Sequence, residues 1–390
     1  MRTATANDIV KKNLVFVLDK IPKNKDYYSL REIFTRDALY YMIFGERSNG
    51  KTYSVLELSI WAYAHFGYEL GIIRRNDEDF RGKRGGSMFE NQINNNVVSF
   101  ATNGEWTDIY YYSSRWYFCK YENGKRIVAL KPFAYAFALS TYVHDKSISF
   151  PNIKIILFDE FLAREGYLNE EFVAFTNTLS TIIRERGDVI IFMCGNTVNQ
   201  FCPYFTEMGL TNVRKMKQGD IDTYVYGEEE ELTVVVQYCG DKKAKRKKKK
   251  SDKYFAFNNP KLNMIKNGAW EIGMYPHLPV KYKRDDILFT YFIQFNEFIL
   301  QCEIILLEDN FFTYIHKKTS PLWGEETDII FTTSFIPKPN YRRKITLPVD
   351  ELGRKILWFY KNDKVFYQDN EVGEIVRNYL MWSKTERSAV

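Results

Sequence analysis

The sequence lacks the features of a secreted or membrane-bound protein. Its five cysteines include no CxxC pair and no spacing typical of a metal site or a disulfide framework, so we expect reduced thiols. No apolar run is long enough to cross a membrane, and the best candidate, residues 153–158, is far too short. The N-terminus has neither the apolar core nor the cleavage site of a signal peptide. We therefore expect a cytoplasmic protein with no membrane partner.

The chain also lacks a large excess of one charge. Its 55 Lys and Arg residues against 49 Asp and Glu residues give a net charge of +6, which is mild for a protein that binds nucleic acid. The positions of the cations are therefore more informative than their number. One block, residues 242–250 (KKAKRKKKK), is almost wholly basic, and such blocks are typically disordered and bind polyanions without specificity. The sequence does not decide whether the partner of this block is DNA, RNA or an acidic protein surface.

The sequence does contain the pattern of a two-domain globular protein. Its 390 residues are 45% hydrophobic and 27% charged, which is enough to bury a substantial core. Helical spacing of apolar residues occurs at residues 51–66 and 169–186. Apolar strand patterns lie between and around these helices, at residues 38–44, 68–74, 108–120, 126–131, 153–158 and 188–194. The alternation of strands and helices predicts an α/β domain with a mostly parallel central sheet.

The C-terminal half has a different pattern. Helical spacing returns only at residues 371–382, and the stretches before it are β-rich, at residues 232–238, 287–294, 298–307 and 311–316. No internal repeat is present. We predict an α/β domain over residues 1–210, a linker over residues 211–228, and a β-rich α+β domain over residues 229–390.

The most specific motif is GERSNGKT at residues 45–52, which matches the phosphate-loop pattern GxxxxGK[ST] in full. Its glycines permit a tight loop whose backbone N–H groups surround phosphate oxygens, and its lysine reaches the β- and γ-phosphates. The alternative is a chance match in a turn, but a strand precedes this motif and a helix follows it, which is the context the motif requires. We predict that ATP is bound by Gly45, Glu46, Arg47, Ser48, Asn49, Gly50, Lys51 and Thr52, with the Thr52 hydroxyl as a ligand of Mg²⁺.

A second motif, IILFDE at residues 155–160, is an apolar strand that ends in two acids. We predict that Asp159 holds Mg²⁺ and that Glu160 is the general base that deprotonates the attacking water. Many strands end in solvated acids, so this motif is weak by itself and gains weight because it follows a full phosphate loop. The glutamate beside the aspartate favours an ATPase over a GTPase, and the guanine-binding motif NKxD is absent.

Two further polar elements follow along the chain. The strand at residues 188–194 leads to Asn196, whose side chain can sense the γ-phosphate or position the water, although it can also simply cap a turn. Arg184 and Arg186 end the preceding helix, where cations are favourable in any case. Either is a candidate arginine finger, a cation inserted into the ATP site of a neighbouring subunit. We predict a catalytic role for Asn196, because strand order and position suit it, whereas the residues alone do not decide for the two arginines.

A cluster of cations follows the strand at residues 68–74. Arg74 and Arg75 come at its end, and a glycine-containing stretch with further cations comes next. A flexible basic loop can follow DNA phosphates without reading the bases. The alternative is a solvated loop, since acids at residues 77–79 dilute the cluster. We predict DNA contacts for Arg81, Lys83 and Arg84.

In their order, these motifs resemble the DNA encapsidation ATPases of podoviruses, short-tailed phages that package DNA through a portal. The matches are residues 43–53, GIIRR at 71–75, FPN at 150–152 before LFDEF at 157–161, RER at 184–186, GN at 195–196 and PYF at 203–205. They fall within residues 38–210. The C-terminal half shares only the family's length and β-rich character, and the basic block at residues 242–250 has no counterpart in the family.

The resemblance implies a P-loop motor of the additional-strand, catalytic-glutamate class that uses ATP and Mg²⁺ to drive double-stranded DNA into an empty capsid. Its partners would be the portal (connector) protein, the capsid and further copies of itself in a ring, typically a pentamer. A structural RNA is left open as another partner. The motor would act in the host cytoplasm at the portal vertex and would be absent from the mature virion.

The resemblance also implies roles for particular residues. The family's catalytic positions fall on Lys51, Thr52, Asp159 and Glu160. Its trans-acting finger falls on Arg184, and a family lysine near the subunit interface falls on Lys146. The C-terminal domain would be a vestigial nuclease of RNase H-like fold that binds nucleic acid or the portal.

Other function classes also use a phosphate loop. A nucleotide kinase would need a mobile basic lid and an acceptor pocket, and the C-terminal half shows neither. A nucleotide-gated assembly module would not need the catalytic glutamate. A non-viral P-loop DNA translocase would share all the motifs of the ATP site. We expect a viral DNA-packaging ATPase and keep the last two classes as alternatives.

Two substitutions test the predicted ATP site. Lys51→Ala should abolish tight ATP binding, because the phosphates lose their cation. Glu160→Gln should keep ATP binding and lose hydrolysis by orders of magnitude, because only the base is removed. Binding of a fluorescent ATP analogue and steady-state phosphate release measure the two effects. Near wild-type turnover in Glu160→Gln would show that Glu160 is not the general base.

Overall fold

The computed structural model describes residues 6–23, 27–141, 149–164, 166–228, 232–240, 269–320 and 327–385. The chain forms two units, which cover residues 1–270 and 271–390. Each unit has its own sheet. The basic block at residues 242–250 and the predicted interface residue Lys146 lie outside the described residues.

The first unit is built on a ten-stranded sheet. Its strands are β1 (Tyr40–Gly45), β2 (Glu69–Arg74), β3 (Asp108–Tyr112), β4 (Arg115–Glu122), β5 (Lys125–Val128), β6 (Ala134–Ala138), β7 (Ile153–Asp159), β8 (Ile190–Asn196), β9 (Ile221–Tyr226) and β10 (Leu232–Cys239). Its helices are α1 (Ala6–Lys20), α2 (Lys51–Phe66), α3 (Lys83–Gly86), α4 (Glu90–Asn94), α5 (Val97–Ala101), α6 (Glu171–Ile183) and α7 (Pro203–Glu207).

The strand order is β3-β4-β6-β2-β7-β8-β1-β10-β9, with β5 beside β4. All neighbouring strands from β6 to β10 in this order are parallel, and the strands at both edges are antiparallel. The predicted α/β class with a mostly parallel central sheet is confirmed. Because parallel strands end at the same edge, the loops after β1, β7 and β8 meet there, which is where such sheets bind ligands.

Apolar layers cover both faces of this sheet. On one face, α1, α2, α4 and α5 pack against inward side chains such as Tyr41 and Phe192. On the other face, α6 and α7 pack against Phe44 and Phe158. The four apolar residues at 155–158 in β7 are fully buried, because this strand has helices on both faces. The apolar run that predicted a central strand is thus explained by two-sided burial.

The boundary predicted at residues 211–228 is wrong. Residues 221–226 form β9, and β10 pairs in parallel with β1, so both strands belong to the first sheet. The first unit extends to residue 270. The sequence did not reveal this because β10 looks like any other strand of the β-rich half, and its partner lies almost 200 residues away.

Smaller differences concern turns and short helices. The strand predicted at residues 108–120 is two strands, β3 and β4, joined by a tight turn at Ser113 and Ser114, which both have positive φ. The strand predicted at residues 126–131 is β5, which ends at Val128. The stretch predicted as a flexible basic loop contains α3, and α1 lies in a segment that the sequence left unassigned.

The second unit is a β-rich α+β domain, as predicted. It contains β11 (Ile287–Phe295), β12 (Phe298–Leu307), β13 (Asn310–Lys317), β14 (Ile330–Thr332), β15 (Tyr341–Arg342), α8 (Glu351–Lys361), β16 (Val365–Tyr367) and α9 (Asn370–Thr385). The order is β15-β14-β11-β12-β13-β16, with an antiparallel β11–β12–β13 meander and parallel additions at both sides. The RNase H-like fold that the resemblance implies for this domain remains a prediction. No helix among the described residues of either unit could span a membrane.

The position of β10 predicts where the first unit can be cut. A fragment of residues 1–228 lacks β10, so β1 loses a neighbour and the contacts of the buried Val234, Val235 and Val236, each worth roughly 1.5–3 kcal/mol. We expect this fragment to aggregate or to unfold without cooperativity, and residues 1–270 to unfold cooperatively. Circular dichroism melting and gel filtration compare them. Equal melting temperatures would show that β10 is not part of the folding unit.

Candidate active site

The phosphate loop joins β1 to α2 at the carboxyl edge of the first sheet. Gly45 has φ +149°, and a Cβ there would lie 2.8 Å from the carbonyl oxygen of Cys239. Gly50 has φ +98°, and a Cβ there would lie 3.2 Å from Cβ of Tyr27. Both positions therefore require glycine, for backbone conformation and for space. The two glycines of the motif shape the loop as predicted from the pattern.

Lys51 lies at the centre of this loop. Its side chain is buried, and its Nζ lies 2.7 Å from the carbonyl oxygen of Glu46, 3.1 Å from Oδ1 of Asn49 and 3.3 Å from Oδ1 of Asn196. All these partners are neutral oxygen atoms. Burial lowers the pKa of Lys51, although nearby acidic groups oppose the shift. A buried ammonium held by neutral acceptors is suited to an anion, and phosphate is the anion that this loop would accommodate.

Thr52 and Asp159 face each other across the site. The Thr52 hydroxyl donates to Oδ1 of Asp159 at 2.7 Å, and the Arg74 guanidinium forms an ion pair with Oδ2. Burial alone would lower the pKa of Arg74, but Asp159 raises it above its usual value. A hydroxyl and a carboxylate at this distance are hard oxygen ligands of the kind that Mg²⁺ prefers, so the residues present fit this ion.

Glu160 follows Asp159 at the end of β7 and is exposed. Its φ is +59°, an unusual conformation for a non-glycine residue and one that clusters at functional sites. Within the described ranges, the structure gives its carboxylate no hydrogen bond. Asp159, by contrast, is buried, so the two adjacent acids differ in their access to solvent. This arrangement suits a general base beside a metal-binding carboxylate, and the role of Glu160 remains a prediction.

A buried ion pair braces the segment that follows Glu160. Arg75 donates to both carboxylate oxygens of Glu171 at 2.7 and 2.8 Å, and to the carbonyl oxygen of Phe161 at 2.9 Å. The Tyr204 hydroxyl donates to the same carboxylate at 2.9 Å. Sequence reasoning missed Glu171 and Tyr204 and misplaced Arg75. The GIIRR strand end was the available signal, because two arginines after a buried strand can turn inward as well as outward.

The predicted basic loop is therefore partly wrong. Arg74 and Arg75 are engaged inside the site by Asp159 and Glu171, so neither forms a flexible surface with the cations that follow. Arg81 is exposed and pairs with Asp77 at 2.6 Å. Lys83 and Arg84 belong to α3 and are also exposed. Their DNA contacts, and those of Arg81, remain predictions.

The two arginines after α6 are far from the ATP site of their own chain. The Arg186 guanidinium binds the carbonyl oxygens of Pro151 and Ile153, where β7 begins. Asp159 lies at the other end of this seven-residue strand, about 20 Å away at the usual rise per residue. Arg184 is exposed at the same edge as Arg186. This position does not favour a cis role for Arg184 in hydrolysis, and the trans role remains a prediction.

The site opens into a cavity of about 1190 Å³. Its wall includes the phosphate loop, Asp159, Glu160 and Asn196, and it extends to Tyr28 on one side and Arg84 on the other. The Tyr28 amide donates to the carbonyl oxygen of Asn49 at 2.8 Å, which ties the N-terminal segment to the loop. A cavity of this size at the phosphate loop accommodates a nucleotide.

In the part of the second unit that the structure describes, one acid lies in the middle of a strand, Glu303. It is buried, and its carboxylate accepts from Tyr282 at 2.5 Å and from Gln301 at 2.6 Å. Burial would raise its pKa, but these bonds and His316 hold the pKa of Glu303 below its usual value. Within the described residues there is no group of three or more His, Cys, Asp or Glu side chains placed to hold a metal ion. Glu303 is thus occupied by internal bonds.

The family model of the Podovirus DNA encapsidation protein (Gp16) matches residues 23–218, half of the chain. The chain belongs to this family. The matched region contains the phosphate loop, Asp159, Glu160 and Arg184. The resemblance noted from the order of the motifs is confirmed.

Curated relatives of this chain come from Bacillus phages. The DNA packaging protein of Bacillus phage phi29 is 23% identical over 261 residues, which covers 60% of this chain and 72% of that protein. The DNA packaging protein of Bacillus phage PZA is 24% identical over 182 residues, which covers 46% of this chain and 49% of that protein. The latter match therefore spans about half of the relative's length.

Solved structures share the fold along nearly the whole chain. The bacteriophage Phi-29 viral genome packaging motor assembly aligns with a TM-score of 0.52 and 18% identity, over 93% of this chain and 100% of that one. The Phi-28 gp11 DNA packaging motor aligns with a TM-score of 0.50 and 17% identity, over 94% and 100%. At these identities the likeness establishes the fold.

The Thr52–Asp159 contact predicts how substitutions change the use of Mg²⁺. Thr52→Val keeps the shape and removes the hydroxyl, so we expect the Mg²⁺ concentration for half-maximal ATPase activity to rise about tenfold or more. Thr52→Ser keeps the oxygen atom and should remain near wild type. Mg²⁺ titrations of ATP hydrolysis measure both. An unchanged Mg²⁺ requirement in Thr52→Val would show that this hydroxyl is not a ligand.

Proposed function

We propose that this chain is an ATP-hydrolysing motor that drives double-stranded DNA through a portal into a preformed capsid. The observation that carries the proposal is the grouping of Lys51, Thr52, Asp159 and Glu160 around one cavity in a chain of the podovirus DNA encapsidation family. The phosphate loop supports ATP binding and hydrolysis, and the family membership supports DNA packaging as the process that hydrolysis drives.

The proposed hydrolysis assigns one task to each side chain. Lys51 and the loop amides would hold the phosphates, and Thr52 and Asp159 would hold Mg²⁺, whose positive charge would offset the negative charge that develops on the phosphates. Glu160 accepts a proton from the attacking water. Asn196, bonded to Lys51 at 3.3 Å, is placed to contact the terminal phosphate and to keep the lysine oriented.

The motor is proposed to work as a homo-oligomeric ring, with a pentamer as the expected form. Arg184 sits too far from its own site and is exposed, so it would complete the site of a neighbouring subunit. Lys146 would assist from the same interface. The related phi29 protein is described as part of a packaging motor assembly, which supports a multi-subunit arrangement here.

Contacts to DNA are proposed for Arg81, Lys83 and Arg84. These exposed cations follow β2, and Arg84 lines the nucleotide cavity, so this segment connects the ATP site with a basic surface. Contact with phosphates alone would suit a motor that accepts any sequence. The basic block at residues 242–250 would add non-specific binding to DNA, RNA or the portal.

The second unit is proposed to bind nucleic acid or the portal without cutting DNA. A two-metal nuclease needs carboxylates that converge on ions about 3.5–4 Å apart. In the second unit, the central strand β11 (ILFTYFIQF) has no acid, and the carboxylate of Glu303 is occupied by internal hydrogen bonds. These features support a nuclease-like fold that has lost its metal site.

The competing functions make different use of the same site. A nucleotide-gated assembly module would bind ATP without turnover, and a strained, exposed Glu160 beside the metal-binding pair would then have no purpose. A non-viral translocase would share the hydrolysis and differ in its partners. Only the family membership separates that alternative from a packaging motor, so capsids are needed in the test.

The proposal predicts ATP-dependent packaging. Purified empty capsids with their portal, this protein, Mg²⁺ and ATP should protect linear duplex DNA from added nuclease, and duplex DNA should raise the steady-state ATPase rate. Lys51→Ala should do neither, because its site cannot hold the phosphates. ATP hydrolysis that duplex DNA does not stimulate, with no protection in the presence of competent capsids, would overturn the motor assignment.

A further inference from the structure

The turn between α6 and β8 contains a fully engaged arginine. The Arg186 side chain donates from Nε to Ile183, from Nη1 to Pro151 and Ile153, and from Nη2 to Phe150 and Ile182, all backbone carbonyl oxygens at 2.9–3.1 Å. Nη1 also reaches Oδ1 of Asp188 at 3.1 Å. Five carbonyl oxygens from two separate segments therefore converge on one guanidinium.

These carbonyl groups belong to two defined places in the fold. Those of Ile182 and Ile183 close the last turn of α6, where helix carbonyls lack partners within the helix. The other three belong to residues 150–153, which lead into β7, the strand that ends in Asp159. Arg186 therefore clamps the end of α6 to the beginning of the metal-binding strand. A lysine could not reproduce the clamp, because it lacks the planar fork of five donors.

The residue held in this turn is Arg184. Its backbone has φ +48° and ψ −146°, close to a region that is otherwise almost confined to glycine. Such a conformation persists only where the surroundings impose it. The Arg184 amide is bonded to Ser180 and the Arg186 amide to Ile183, so the turn is fixed by backbone and side chain together. The chain keeps an arginine in a glycine-like position, which indicates that the side chain is needed there.

We propose that Arg186 is a positioning residue: it fixes the strained turn from which Arg184 projects towards the ATP site of a neighbouring subunit. This inference rests on the proposed ring motor and goes beyond it, because it separates the two arginines of the RER motif by task. Arg184 supplies the charge, and Arg186 supplies the geometry. The clamp also joins the turn to β7, so the arginine offered to the neighbour and the metal site of the same subunit move as one body.

The alternative is that Arg186 only stabilises the fold. Arg342 provides a matched control, because it makes a bidentate ion pair with Asp350 in the second unit at 3.1 and 2.7 Å, and its side chain is 17% exposed against 23% for Arg186. Replacing either arginine with alanine removes a partly buried guanidinium group. Only the loss of Arg186 should change how one subunit acts on the next.

The first experiment measures ATP binding and turnover of the full-length protein. Arg186→Ala should keep the ATP dissociation constant, because the pocket is intact. It should lower kcat about 100-fold, a loss that misplacing a reacting group by about 1 Å can cause. Arg186→Lys should fall nearly as far, since charge without the fork is insufficient. Arg342→Ala should keep the wild-type kcat. Thermal unfolding of each variant, with and without ATP, shows whether the folded state persists.

The second experiment asks whether Arg186 acts through Arg184. The double variant Arg184→Ala/Arg186→Ala should be no slower than Arg184→Ala alone, because removing the support of an absent side chain has no further effect. Mixing Arg186→Ala subunits with Lys51→Ala subunits should restore part of the activity, since some interfaces then pair an intact pocket with a well-placed Arg184. Additive losses, or no recovery in rings shown to be mixed, would overturn the proposal.

The outcomes separate this inference from the proposed function. Wild-type turnover in Arg184→Ala would show that Arg184 is not a trans-acting finger. A slow Arg184→Ala together with a normal Arg186→Ala would leave the motor intact and remove only the positioning role. If Arg186→Ala fails to fold, Arg186→Lys takes its place in the comparison with Arg184→Ala. A wild-type kcat in a folded Arg186→Lys would show that the guanidinium of Arg186 is not needed, and would also overturn the proposal.

Discussion

The parallel register of β7, β8 and β1 is the constraint on which the site depends. In this register Gly45 lies opposite Asn196, and Asp159 lies opposite Cys194. A shift of one residue in a strand would turn its side chains to the other face. Because these strands are buried on both sides, their register is fixed by packing. Lys51, Asp159 and Asn196 thus converge without any direct bond being required to hold the loops together.

The charges brought together at this edge are few and matched. Asp159 is shared by Thr52 and Arg74, and Glu171 is shared by Arg75 and Tyr204. Unpaired buried charges are costly, and each carboxylate here has a cation and a further donor. Lys51 differs, since its acceptors are all neutral. The phosphate loop therefore presents a buried cation that no carboxylate neutralises by direct contact, which suits an anion.

Local patterns predicted much of this arrangement. The bounds of α2 match the sequence prediction, and the strand ends that carry Asp159 and Asn196 lie where apolar runs stop, because periodicity and loop glycines are local signals. The long-range pairs were not predictable. Arg74 and Asp159 are 85 residues apart, and Arg75 and Glu171 are 96 apart, so no nearby residue indicates the partner. For the same reason β10 was placed in the wrong domain.

The two ends of β7 explain why the ATP site and the Arg184 turn belong to one mechanical unit. Asp159 ends the strand, Arg186 binds the carbonyl groups at its beginning, and parallel neighbours β2 and β8 hold it on both sides. A strand paired on both sides within a close-packed core does not stretch or slide independently. In a ring of the proposed kind, the backbone turn that carries Arg184 would therefore move together with β7 and the residues at its end. Communication between neighbouring sites would then take the form of rigid-body rotation of the first unit at the interfaces.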